Sequence, residues 1–136
     1  MKRKVQNSVA VLVCLIMFFS ILPSMRRIKA DELRYQYVSD ATCSISITSG
    51  TATVVSKVKG RSGTTSISVI VYLESYYDGE WHSYNYWTYS GVNQNNSDTT
   101  TVGAGIYRVW MSVTATSGGN SESFNVDGNM TWYLGS

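Results

Sequence analysis

The chain has 136 residues, 11 of them Lys or Arg, nine Asp or Glu and one His, for a formal net charge of +2. Six of the basic residues (Lys2, Arg3, Lys4, Arg26, Arg27, Lys29) and none of the acids precede Asp31, so the remaining 106 residues carry five basic against nine acidic side chains, a net −4. That balance excludes nucleic acid and anionic membrane as natural partners of this part, and its length is that of one domain with a modest core.

The first 30 residues read as an export segment. Lys2, Arg3 and Lys4 precede an apolar run from Val9 to Leu22, and Ile28-Lys29-Ala30 forms a small-residue cleavage site before Asp31. The apolar run is shorter than the roughly 20 residues that span a bilayer. The expectation is therefore a signal peptide over residues 1–30, a single domain over 31–136 and a secreted, extracellular product. The alternative is an uncleaved N-terminal anchor, which would keep the protein at the cell surface and be its one attachment to a membrane. Cys14 falls in the apolar run, which leaves Cys43 alone in the domain and rules out an intrachain disulfide there.

Residues 31–41 show no period and read as a surface leader. Cys43 to Thr48 alternates and should point Cys43, Ile45 and Ile47 inward. Ser49-Gly50 turns the chain into a strand from Thr51 to Val58, with Ala52, Val54 and Val58 on one face. After a Gly- and Ser-rich loop at 59–63, Ile67, Val69, Val71 and Leu73 alternate with Ser66, Ser68, Ile70 and Tyr72. Asp78-Gly79 is a strong hairpin signal, and a strand from Trp81 to Tyr89 follows it with two Trp and three Tyr. Residues 91–97 read as a polar loop and Asp98 to Val102 as a short edge strand. Ile106 to Thr116 alternates again: Tyr107, Val109, Met111, Val113 and Ala115 face one way, Arg108, Trp110, Ser112 and Thr114 the other. Ser121 to Val126 is the last full strand. Asp127-Gly128-Asn129 reads as a turn into an extended piece, Met130 to Leu134. Seven or eight short strands with regular turn signals predict an all-β, antiparallel immunoglobulin-like β-sandwich, with a small β-barrel as runner-up.

Two stretches carry a resemblance. Gly105-Ile106-Tyr107-Arg108-Val109 resembles the start of the penultimate strand of immunoglobulin-like domains, where the tyrosine hydroxyl bonds back to the preceding corner. Together with Leu73-Glu74, Asp78-Gly79-Glu80-Trp81 and Trp87, it resembles a small, secreted, uncharacterised (domain of unknown function) β-sandwich family of Gram-positive bacteria. The resemblance implies a secreted β-sandwich with Trp81, Tyr107 and Arg108 as framework positions. It offers no function to carry over.

The residue types give no catalytic, cofactor-binding or metal site. A lone His82 beside Trp81 has no companion signature for nucleophilic catalysis. One His and one Cys do not make a zinc site, and no Asp ladder for calcium occurs. A carboxylate pair for glycoside hydrolysis would have to meet in space, and no glutamate pair stands out. Aromatic residues do stand out. A two-residue Asp-Gly turn would place Tyr84 and Tyr86 in the core beside Val71 and Leu73, and a bulge would reverse this. Tyr72 and Trp110 alternate out of phase with the apolar positions of their strands, and Arg108 goes with them. The expectation is a ligand-binding set of Trp110, Tyr72, Arg108, Tyr84 and Tyr86, with Cys43 as a buried structural residue. The function expected is a secreted, non-enzymatic binding module for a protein or carbohydrate at the cell surface. The alternatives are a small glycan- or cell-wall-acting hydrolase and a bacteriocin-like effector.

Overall fold

The computed structural model describes residues 35–135; the expected signal peptide, its cleavage site and the first part of the leader lie outside them. Seven antiparallel strands form two sheets: β1 (Val38–Thr48), β2 (Thr51–Gly60), β3 (Ser66–Tyr77), β4 (Glu80–Ser90), β5 (Asn93–Thr101), β6 (Gly105–Ser117) and β7 (Asn120–Tyr133). One sheet has the order β1-β2-β5 and the other β4-β3-β6-β7. The result is the immunoglobulin-like sandwich that the alternation predicts. Its core is made from the inward positions of both sheets: Ile45, Val54 and Val58 from the smaller, Ile67, Val69, Val71, Leu73, Val109, Met111 and Val113 from the larger. Each fully buried Leu, Ile, Val or Met contributes about 1.5–3 kcal/mol by leaving water.

Three boundaries differ from the sequence reading by more than two residues. β1 begins at Val38 rather than Cys43, because the chain from Tyr35 onward is held: Tyr35 stacks on Phe124 at 3.6 Å. β5 takes in Asn93 to Ser97, read as loop from its polarity. Its inward side chains are polar yet satisfied: Gln94 donates to Ile67 O and Gly91 O, and Asn96 donates to Ser56 Oγ and to Gln94 Oε1. β7 runs straight through Asp127-Gly128-Asn129, which forms a bulge, since Arg108 pairs with Met130 while Trp110 pairs with Asp127. The glycine is required there by closeness rather than by turning. A Cβ on Gly128 would lie 2.7 Å from Cys43 O and 2.7 Å from Val109 Cγ2.

That bulge closes one side of the sandwich. Asn129 accepts from Ile45 N at 2.7 Å and donates to Ile45 O at 2.9 Å, standing in for a strand neighbour of β1. Glu122 accepts from Gln36 N and Tyr37 N, fastening the chain ahead of β1 to β7. Cys43 lies in this seam, 8% exposed. Burial, and then the Asp127 carboxylate, push its thiol up to about 11.

Candidate functional site

The β3–β4 hairpin sorts the aromatic residues. Asp78 and Gly79 have φ of 58° and 79° and form a two-residue turn between Tyr77 and Glu80, which pair. Two consecutive residues at positive φ match the twist of the flanking strands. The register then slips: Glu74 pairs with Ser83 but Leu73 pairs with Asn85, leaving Tyr84 unopposed. One extra residue flips every later side chain of β4. Tyr86 therefore points outward beside Tyr72, while Trp87 and Tyr89 point inward beside Val71 and Val69 and pack against the core. Trp81, ahead of the bulge, pairs with Tyr76 and faces outward.

Three consecutive rows thus cross the outer face of the four-stranded sheet. The first is Trp81–Tyr76–Ile106–Trp132, the second Ser83–Glu74–Arg108–Met130 and the third Tyr86–Tyr72–Trp110–Asp127. Most of the large exposed apolar side chains lie here, with Trp132 at 68%, Tyr86 at 61% and Met130 at 60%. The Tyr72 and Trp110 rings stack at 4.3 Å, and Tyr86 leans on Tyr72 at 6.4 Å. Glu74 Oε1 accepts from Arg108 Nε at 2.8 Å and from Trp110 Nε1 at 3.0 Å. The Arg108 guanidinium sits 4.2 Å from the Trp81 ring centre, and Trp81 meets Tyr76 at 5.1 Å. One carboxylate oxygen therefore ties the second and third rows together, and the arginine carries the linkage to the first. Cation–π and charge-assisted contacts of this kind hold long side chains in one arrangement.

Of the five residues singled out from the sequence, the structure brings Trp110, Tyr72, Arg108 and Tyr86 together and sends Tyr84 elsewhere. Tyr84 is the bulge residue. Its hydroxyl donates to Thr101 O at 2.8 Å and its ring meets Tyr107 edge-on at 5.6 Å, toward the other sheet. Trp81, expected as framework, lies half-buried in the face beneath Arg108. Tyr107 is buried and donates to Gly103 O at 2.9 Å. Burial, and then Tyr84, push its phenol up. Glu74, Tyr76, Ile106, Met130 and Trp132 are face residues the sequence reading did not select. For Met130 and Trp132 a strand running through 127–129 was the missing signal.

The opposite face of the sandwich is unlike this one. Its rows are Ser46–Thr53–Thr99, Ser44–Val55–Ser97 and Thr42–Lys57–Asn95, with Val55 the only large exposed hydrophobe among them. His82 stacks on Tyr77 at 3.8 Å, and its Nε2 lies 3.2 Å from Tyr77 O. Burial pushes the Asp98 carboxyl up. Among the described residues no three His, Cys, Asp or Glu side chains are grouped to hold a metal ion. An open hollow of about 660 Å³ lies where the β1–β2 turn meets the β5–β6 connection, lined by Ser49, Gly50, Thr101, Val102 and Tyr133 among others, with no carboxylate, His or Lys.

No family model matches this chain, and no curated protein does. A solved structure that it resembles is the CARDB domain of the PF1109 protein from Pyrococcus furiosus, determined in complex with di-metal ions, at 24% identity over 71% of this chain and 93% of that one, with a TM-score of 0.35. A score that low bears on neither site nor function.

Proposed function

We propose that this chain is an exported, non-enzymatic interaction module that grips a partner protein with the outer face of its β4-β3-β6-β7 sheet. The observation that carries the reading is the way the aromatic rings are used. A sugar stacks flat on a ring face, so a glycan-binding platform leaves ring faces open. Here Tyr72 and Trp110 each turn one ring face to the other and Arg108 covers one face of Trp81, so the rings at the centre of the cluster are engaged with one another and only Tyr86 and Trp132 at its margins are largely open. Tyr, Trp and Arg fixed among exposed aliphatic groups such as Ile106 and Met130 are the composition of protein-interface hot spots. The hydroxyl- and amide-bearing face on the other side suits water, which makes the molecule two-sided.

The same contacts support a non-enzymatic reading. Glu74 is engaged by Arg108 and Trp110, Glu122 by two backbone amides, and His82 by Tyr77 rather than by an acid. The export segment and the net −4 of the remainder support action outside the cell and disfavour nucleic acid.

The test applies fluorescent protein and its Trp110→Ala variant to bacterial and host cell surfaces, before and after protease treatment, and to a glycan array. Binding that protease removes and Trp110→Ala weakens by about 30-fold (roughly 2 kcal/mol) is expected. Binding that survives protease and appears on the array, still dependent on Trp110, would refute the protein-partner reading.

A further inference from the structure

The four strand edges of this sandwich are not treated alike. The β1 edge is occupied by Asn129, which takes both Ile45 N and Ile45 O, and β7 lies along the same sealed seam. On β5, the carbonyl of Thr101 receives the Tyr84 hydroxyl. β4 is different. It is 11 residues long and, among the described residues, its backbone pairs with β3 alone, the Tyr84 side chain being what reaches Thr101. Edge strands are ordinarily blunted by Lys, Pro, inward charges or bulges. β4 has no Lys or Pro, its one charged residue is Glu80 at the hairpin tip, and its bulge at Tyr84 lies near the middle. From Asn85 to Ser90 it is a regular strand ending at the Gly91 corner, rich in β-forming aromatics and free of charge.

The direction of its free groups can be read. Tyr86 N donates not to β3 but to its neighbour's side chain, Asn85 Oδ1, at 2.9 Å. A backbone amide satisfied in that way points to the open edge, and by the alternation of an antiparallel strand so do those of Thr88 and Ser90. A row of edge-facing N–H and C=O groups is matched by only one kind of ligand, another extended backbone.

We propose that the ligand is β4 of a second copy of this chain, paired antiparallel about a two-fold axis at Thr88. In that register Trp87 opposes the partner's Tyr89 and Tyr89 the partner's Trp87, two cross-strand aromatic pairs on the inward side, the kind of pair that stabilises antiparallel ladders. Tyr86 opposes the partner's Ser90 on the outer side. Five uncharged residues from each copy meet, so the net −4 of each domain puts no like charge into the contact. The Tyr84 bulge and the Gly91 corner fix where pairing starts and stops. The Tyr89 hydroxyl, buried without a hydrogen-bond partner, lies on the strand that gains neighbours.

The pairing goes beyond the binding face and also serves it. Three rows across four strands cover roughly 400 Å², about half the area that one side of a stable complex contributes. Edge pairing keeps both outer faces on the same side of one continuous eight-stranded sheet, so the second copy supplies the other half of a platform of standard size.

The experiment is sedimentation velocity on the purified protein from about 1 to 300 μM, with Thr88→Pro, Thr88→Lys and Trp110→Ala alongside. Proline removes an edge N–H, and lysine sets two like charges face to face at the axis. We expect a concentration-dependent dimer in the wild type and in Trp110→Ala, and a dissociation constant raised tenfold or more in both Thr88 variants. Near-UV circular dichroism reports whether each variant keeps its tertiary packing; if the proline variant does not, the lysine variant decides. A wild type monomeric throughout this range would overturn the proposal. So would a dimer that Thr88→Lys leaves intact, because association through the N-terminal apolar run or through the aromatic face would survive that change. Loss of partner binding in Trp110→Ala with the dimer retained separates the two readings.

Discussion

Removing the Asn129 side chain tests how the sandwich is held shut. Its carboxamide makes two hydrogen bonds to one residue, accepting from Ile45 N at 2.7 Å and donating to Ile45 O at 2.9 Å. Asn129→Ala would leave both backbone groups of Ile45 without that partner, on a strand edge whose side chain is 4% exposed. A net hydrogen bond is worth about 1 kcal/mol, and an unsatisfied buried group costs more, so two imply a loss of about 2 kcal/mol, reduced to ~1 if water reaches the edge. For a domain of about a hundred residues each kcal/mol lowers the melting temperature by about 4–8 °C. Urea unfolding followed by tryptophan fluorescence should show a lower midpoint at unchanged slope. Asn129→Asp sharpens the reasoning: its carboxylate can still accept from Ile45 N but faces Ile45 O with a second acceptor. It should be at least as unstable as the alanine variant at pH 7 and recover in acid, where the protonated group donates again. A loss below about 0.5 kcal/mol in Asn129→Ala would mean the seam is held by apolar packing and the clasp is incidental.

Tyr107→Phe removes the hydrogen bond to Gly103 O and should cost about 1 kcal/mol in the same melts, with no change in oligomeric state. Cys43, its thiol pushed up to about 11 and buried against β7, should react with a thiol reagent at pH 8 only as fast as the seam opens; labelling at the rate of a free thiol would show the seam open in the native state.

The period-2 pattern carried most of the fold. Ile67, Val69, Val71 and Leu73, and likewise Tyr107, Val109, Met111, Val113 and Ala115, are buried as their alternation requires. Trp110, Tyr72 and Arg108 could be placed on one outward surface for the same reason, each being out of phase with apolar neighbours on its own strand. Residues 93–97 were illegible because strand propensity is a statement about packing: Gln94 and Asn96 enter the interior once Ile67 O, Gly91 O and Ser56 Oγ are there to bond them, and no local rule foresees those partners. Asp127-Gly128-Asn129 has the composition of a turn. A glycine inside a strand can equally mark the close approach of another backbone, and here Cys43 O is what approaches.

Both decisive departures are bulges, and each acts through the parity of a strand. At Gly128–Asn129 the extra residue of β7 lets β1 come close and turns an amide toward Ile45. At Tyr84 the extra residue of β4 changes which aromatics face the solvent. Without it, the two-residue Asp78-Gly79 turn would put Tyr86 opposite Val71 rather than Tyr72, and Trp87 and Tyr89 would be turned outward. Tyr72 and Trp110 would then lose the ring that extends their row to the free edge of the sheet. Tyr84 itself, lifted out of the ladder, reaches across to Thr101 and Tyr107 and anchors the bulge to the opposite sheet. The residue that the sequence suggested as part of the binding surface is thus the one whose departure allows Tyr86 to be there.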